Sequence, residues 1–274
     1  GRHALTLDWN KYKNAAIHIA REGSVLLKND RDALPVSKDA KIALFGRMQG
    51  NYYKSGTGSG GMVNVNHVYD IREGLKEAGA KLDEELISIY NEWEKENPVD
   101  PGVGWGQERW SQEEMPVDDD LASRMAAHND VAVIVIARTA GEDRDNTAQK
   151  GAYYLSDGEE QMLEKVCKAF SKTVVLLNVG NTIDMSWVSK YEPAAVMYVW
   201  QAGMYGGLAV GDLVMGAASP SGCLTDTIAY SLEDYPSGKN FGAGDGLKDI
   251  YAEEIFVGYR YFSTFAPEKV QYPF

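Results

Sequence analysis

Short, continuous apolar runs alternate along this chain with segments of helical periodicity. The apolar runs are residues 42–45, 131–137, 173–178 and 194–200. The clearest helical patterns are residues 118–128, 156–171 and 206–216. Because a strand with apolar side chains on both faces must be covered on both faces, this order is typical of a parallel sheet between helices. The sequence predicts an α/β fold with a mostly parallel sheet, helices on both faces, and a single domain over residues 1–274.

The remaining segments are assigned by local signals. Residues 8–29 begin with a potential N-cap, Asp8, and carry an apolar and small-residue face, so they are predicted as one helix. Residues 97–117 contain three prolines and two tryptophans and are predicted as an irregular excursion within the domain. Further helices are predicted at residues 68–78, 83–96 and 184–189, and one more strand at residues 224–229.

Charge and hydropathy argue against several classes of function. The chain has 27 Lys and Arg against 40 Asp and Glu, a net charge of −13, which repels phosphate backbones and anionic lipids. The longest apolar runs are far shorter than the ~20 residues of a membrane span. We therefore expect neither nucleic acid nor membrane as a partner. The opening residues lack the apolar core of a signal peptide, which favours a cytoplasmic location.

In a parallel sheet, ligands bind in the loops that follow the carboxyl ends of the strands. The loop at residues 46–66 contains GTGSGG, a literal G-x-G-x-x-G, at residues 56–61. These glycines start ten residues after Gly46 and do not open a helix, so a dinucleotide site is disfavoured. Two interpretations of this loop remain: it donates backbone N–H groups to a polar ligand, or it is a surface loop without function.

The loop at residues 138–154 concentrates charge directly after the most apolar strand. Such a cluster is commonly a solvated face, but its position is where a site would form. Arginines among carboxylates allow one acid to stay ionised while another is held protonated. The cluster consists of Arg138, Glu142, Asp143, Arg144 and Asp145.

Motifs that occur in order along the chain resemble the α/β-sandwich domain of family 3 glycoside hydrolases, the β-glucosidase group. They are AREGSVLLKN at residues 20–29 with LP at 34–35, KSGTGSG at 54–60, WQAG at 200–203 with PSG at 220–222, and YAEEIFVGYRYF at 251–262. The resemblance implies an (α/β)6-sandwich fold. No cofactor is expected, and no metal site either, because the four histidines are scattered along the chain. The resemblance also implies that the (β/α)8 barrel and the fibronectin-III-like domain of the parent enzyme are not among these residues.

The resemblance implies half of an active site. Family members are retaining glycosidases with two carboxylates, an Asp nucleophile on the barrel and a Glu acid/base in a Gly-Glu-Gly pattern after a buried strand. Glu142 stands at that position, although the Asp143-Arg144-Asp145 that follows departs from the usual run and leaves Asp143 and Asp145 as weaker candidates. Tyr52 and Trp110 either stack on sugar or pack as core or lid residues. The substrate-binding residues implied are Tyr53, Ser55, Gly56, Thr57, Gly58, Ser59 and Trp105.

The function implied is hydrolysis of O-glycosyl bonds in a β-linked glucoside or oligosaccharide, with the barrel domain of the same enzyme as partner. The isolated chain is expected to be inactive, and the opening residues 7–12 favour an enzyme in which this domain comes first. The acidic composition leads us to expect that neighbouring carboxylates favour the protonated form of Glu142. The alternative is a non-catalytic sugar-binding or structural module on the same scaffold.

Overall fold

The fold is built on a six-stranded sheet. The computed structural model describes residues 6–142, 145–240, 247–248 and 250–274. The strands are β1 (Val25–Asn29), β2 (Lys41–Phe45), β3 (Lys81–Leu82), β4 (Val131–Arg138), β5 (Thr173–Val179) and β6 (Ala195–Tyr198). They lie in the order β1-β6-β5-β4-β2-β3, and every pair is parallel except the antiparallel β1–β6. The predicted α/β fold is confirmed.

Helices begin where the sequence places a capping side chain. The helices are α1 (Trp9–Gly23), α2 (Ile71–Glu77), α3 (Glu84–Glu96), α4 (Asp119–His128), α5 (Asp157–Ala169), α6 (Trp187–Tyr191), α7 (Gly206–Val214) and α8 (Tyr259–Phe265). Asp8, Asp83 and Asp118 each accept a backbone N–H from the first turn. Asp70 and Ser156 form capping boxes, which explains why α2 begins at Ile71 and not at residue 68.

The two faces of the sheet carry separate cores. One core joins the sheet to α3, α4, α5 and α6, and the other joins it to α2 and α7, with α1 packed outside α7. All eight residues of β4 and all seven of β5 are buried. Polar groups can therefore emerge only at the ends of these strands. Among the described residues, none of the helices has the length and apolar character that a membrane crossing needs.

Two predicted elements are wrong. The predicted helix at residues 8–29 ends at Gly23, and Val25–Asn29 forms the edge strand β1. The predicted strand at residues 224–229 shortens to β7 (Ile228–Ala229), which pairs with β8 (Val270–Tyr272) in a separate two-stranded sheet. Both differences have one cause, since β1 folds back antiparallel and occupies the edge of β6 that a later strand would have taken.

An ion pair is buried where β4 ends. The guanidinium of Arg138, fully buried, binds both carboxylate oxygens of Glu159 at 2.5 and 2.7 Å. It also donates to the carbonyls of Ala137 and Ala152. Glu159 in turn accepts the backbone N–H of Ser156 as part of the α5 capping box. The pair thus fixes the start of α5 to the end of β4.

We predict that Glu159→Ala lowers the free energy of unfolding by about 3–5 kcal/mol, because it leaves the Arg138 charge buried without a partner. Glu160→Ala is the matched control. The Glu160 carboxylate, next in sequence to Glu159, pairs with Lys190 at 3.3 Å on the surface. Its removal should therefore lower the free energy of unfolding by at most about 1 kcal/mol. Denaturant unfolding of both variants measures the difference. Equal losses would contradict a structural role for the buried pair.

Candidate active site

The glycine loop and the charged loop meet at the carboxyl edge of the sheet. Thr57 and Gly141 form an isolated parallel β-bridge. Two residues further along, the backbone N–H of Ser59 donates to Oε2 of Glu142 at 3.0 Å, and the Ser59 hydroxyl donates to the same oxygen. The structure therefore brings together two segments that are more than 80 residues apart in sequence.

Gly58 permits this approach. Its backbone φ is +80°, and a Cβ atom at this position would lie 2.7 Å from Cβ of Glu142. Both the left-handed backbone and the lack of space select glycine. The contact between the glycine loop and Glu142 thus requires glycine at position 58.

Asn178, the buried residue near the end of β5, holds the neighbouring loops. Its Oδ1 accepts the backbone N–H of Tyr53 at 2.9 Å. Its Nδ2 donates to the carbonyls of Tyr53 and Trp200 at 3.0 and 2.7 Å. One amide side chain therefore ties the loops after β2 and β6 to β5. The sequence could have indicated this role, since Asn178 is the one strongly polar residue within the apolar run of β5.

A cleft of about 480 Å³ opens beside the glycine loop. Six of the seven predicted substrate-binding residues line it: Tyr53, Ser55, Gly56, Thr57, Gly58 and Trp105. Ser59 is exposed and contacts Glu142 instead. Lys54, Glu108 and Thr139 also line the cleft and are not among the predicted site residues. Lys54 lay within the glycine motif, whereas no pattern in the sequence marked Glu108 or Thr139.

The aromatic candidates differ in their surroundings. Trp105 is 52% exposed at the cleft and is available for stacking. Tyr52 is buried, its hydroxyl accepts the backbone N–H of Ala202, and burial raises its pKa to about 12. Trp110 lines a second cleft, formed by residues 109–116 with the loop before α5. Tyr52 therefore packs in the core and also borders the first cleft, whereas Trp110 does not line that cleft.

The excursion at residues 97–117 is anchored to the end of β2. The buried carboxylate of Glu114 accepts the backbone N–H of Arg47 at 3.0 Å and that of Met115 at 2.9 Å, and burial raises its pKa to about 8. The Arg47 guanidinium donates to the carbonyls of Glu113 and Asn97. These bonds fix the segment that carries Trp105 over the cleft.

The charged loop does not act as one cluster. Arg138 is fully buried in its pair with Glu159, so it belongs to the core. Asp145 is exposed, and Asp143 and Arg144 lie outside the described residues. In the part of the chain that the structure describes, no group of three His, Cys, Asp or Glu residues is placed to hold a metal ion.

The expectation that acidic surroundings favour protonated Glu142 is wrong for this domain. The two Ser59 hydrogen bonds, chiefly that of the hydroxyl, lower the pKa of the Glu142 carboxyl below its ordinary value. Glu142 is exposed, so the opposing effect of desolvation is smaller. Among the described residues, the two Ser59 donors are therefore what lowers the pKa of this carboxyl.

The architecture and the loop contacts define a class: an α/β domain that presents one carboxylate beside a cleft at the carboxyl edge of a parallel sheet. The sequence model of the glycosyl hydrolase family 3 C-terminal domain matches residues 24–259. The chain belongs to this family, as its motifs indicated.

Relatives agree with this assignment. A β-glucosidase of Ruminococcus albus is 54% identical over 270 residues, which cover 98% of this chain and 28% of that protein. The solved β-glucosidase of Paenibacillus barengoltzii superposes with a TM-score of 0.94 at 45% identity, over 98% of this chain and 29% of that one. β-Glucosidase 3B of Thermotoga neapolitana, solved in complex with glucose, gives a TM-score of 0.88 at 35% identity, over 98% and 38%. This chain therefore spans between 28% and 38% of the length of these proteins.

We predict that Gly58→Ala displaces Glu142 and lowers the free energy of unfolding by about 1–2 kcal/mol, because it introduces a Cβ where φ is positive and space is filled. Gly60→Ala is the matched control in the same loop, since a Cβ there meets nothing within 4 Å. The unfolding free energies of the two variants, compared with that of the unchanged chain, test this. A Gly60 variant as destabilised as the Gly58 variant would refute the close approach.

Proposed function

We propose that this domain supplies the general acid/base, Glu142, of a retaining β-glycosidase of the β-glucosidase type. The proposed nucleophile is an Asp on a barrel domain of the same enzyme. The observation that carries the proposal is the position of Glu142 after the carboxyl end of β4, where Ser59 binds its carboxylate and Gly58, which lines the cleft, lies against its Cβ. The family membership and the β-glucosidase relatives support it.

The proposed reaction has two steps. In the first, the Asp carboxylate attacks the anomeric carbon while the Glu142 proton passes to the glycosidic oxygen, and the C–O bond to the leaving group breaks. In the second, the Glu142 carboxylate takes a proton from water, and the water oxygen displaces the Asp from the sugar. Glu142 ends protonated again, so the cycle closes.

The substrate proposed is a β-linked glucoside or oligosaccharide. We assign its leaving group to the cleft, where Trp105 offers an indole face and the glycine loop offers polar groups. The Thr57 hydroxyl is buried there without a hydrogen-bond partner among the described residues. The complex of T. neapolitana β-glucosidase 3B with glucose is consistent with a sugar ligand in such an enzyme.

The lowered pKa of Glu142 bears on the mechanism, because an acid catalyst must hold a proton near the working pH. We propose that the barrel and the bound substrate remove water from Glu142, which favours its neutral form. The second candidate function is a sugar-binding module, in which the exposed Glu142 carboxylate, bound by two donors of Ser59, is a charged hydrogen-bond acceptor.

We predict that Glu142→Ala in the full-length enzyme lowers kcat/KM for substrates with poor leaving groups by about 10²–10⁴-fold, the usual contribution of a general acid. Aryl glucosides with very acidic leaving groups should change within a few-fold, since their departure needs no protonation. A series of aryl β-glucosides with graded leaving-group pKa values measures this dependence.

Glu164→Ala, which removes an exposed acid of α5 that does not line the cleft, is the control. The 274-residue chain alone, with only one of the two proposed carboxylates, should hydrolyse none of the substrates. A loss that is uniform across leaving groups would instead favour the sugar-binding role. Turnover by the chain alone, unaffected by Glu142→Ala, would overturn the proposal.

A further inference from the structure

We infer that Ser59 is a positioning residue that holds Oε2 of Glu142 and thereby makes Oε1 the oxygen that exchanges the catalytic proton. The inference rests on the proposed role of Glu142 as acid/base. It changes the expected part of Ser59, which the sequence placed among the residues that bind substrate.

Both donors of Ser59 converge on one oxygen. The backbone N–H lies 3.0 Å from Oε2, and the side-chain hydroxyl donates to the same atom. A hydroxyl can turn to accept a proton, but a backbone N–H can only donate. A proton on Oε2 would therefore face a fixed N–H at hydrogen-bonding distance, whereas a proton on Oε1 leaves both bonds to Oε2 intact.

The backbone around Ser59 sets this geometry before any substrate binds. Thr57 is bridged to Gly141, and the Thr57 N–H donates to the carbonyl of Ala140. Gly58 brings the chain against the Cβ of Glu142. Ser59 follows Gly58 directly, so the backbone bridge between Thr57 and Gly141 fixes the direction of the Ser59 N–H. Such preorganisation avoids reorienting the donors during the reaction.

The arrangement fits both proposed steps. When the O–H bond of Oε1 breaks and its proton passes to the glycosidic oxygen, the electron pair stays on the carboxylate, and the Ser59 donors stabilise the negative charge at Oε2. In the second step, Oε1 takes the proton from water while Oε2 stays bound. Ser59 thus favours the charged form, in agreement with the lowered pKa of Glu142.

Other charged groups lie near the same cleft. Lys54 of the glycine loop donates to the Ser55 hydroxyl and the Gly61 carbonyl, Glu108 lines the cleft from the excursion, and Asp145 follows on the loop of Glu142. The lowered pKa of Glu142 arises from the two Ser59 bonds. Ser59 is therefore the residue whose removal should change the titration of Glu142.

The test is Ser59→Ala in the full-length enzyme, with Ser59→Thr as the conservative variant that keeps the hydroxyl and the N–H. Loss of a donor raises the pKa of Glu142, so the alkaline limb of the kcat/KM profile should move to higher pH. For poor leaving groups, kcat/KM should fall about 10- to 100-fold, the usual cost of a misplaced group. Good leaving groups should change less than about twofold, and Ser59→Thr should restore the profile.

Ser231→Ala is the matched control, since the Ser231 hydroxyl likewise donates to an exposed carboxylate, that of Glu233, but Ser231 does not line the cleft. It should leave the alkaline limb where it is. Thermal unfolding checks that the exposed Ser59 can be changed without loss of the fold. An unmoved limb in Ser59→Ala, with equal losses for all leaving groups, would overturn the inference. If Glu142→Ala itself shows no leaving-group dependence, the proposed function fails first, so the two failures are distinguishable.

Discussion

The burial of β4 and β5 on both faces is the constraint on which the rest of the structure depends. Because all side chains of these strands are buried, polar chemistry is confined to their ends. The polar residues buried there must be satisfied internally. Arg138 is satisfied by Glu159 and by backbone carbonyls, and Asn178 by the loops after β2 and β6. The bonds that satisfy the strand ends are thus the bonds that order the loops of the candidate site.

Order at this edge has a chemical consequence for Glu142. The domain presents the carboxylate exposed and with two donors on one oxygen, a state that favours charge. An acid/base needs both protonation states in one cycle. We therefore assign the two requirements to two parts of the proposed enzyme. The sandwich holds and orients the carboxylate, and the barrel with its substrate supplies the dry surroundings that restore the proton.

The sequence predicted the elements whose signals are local, and it failed where distant contacts decide. The apolar runs marked β2, β4, β5 and β6, and Asp118 and Ser156 marked helix starts. Residues 25–29 extended a helical pattern, and only pairing with β6 makes them a strand. The family motif predicted Glu142 as the acid/base. Its contact with Ser59 could not be predicted, because it depends on a bridge between loops that are far apart in sequence. The net charge predicted the wrong direction for the pKa shift of Glu142, because a hydrogen bond at 3.0 Å outweighs distant charges that water screens.

We propose that this domain supplies one of the two carboxylates of a retaining glycosidase. The most direct measurement is the separation between the carboxyl groups of Glu142 and the barrel Asp in a crystal structure of the full-length enzyme. We expect about 5–5.5 Å, the spacing that a covalent intermediate requires. A separation of about 6.5–9.5 Å, which leaves room for a water as in inverting enzymes, or a Glu142 that faces away from the nucleophile, would contradict it.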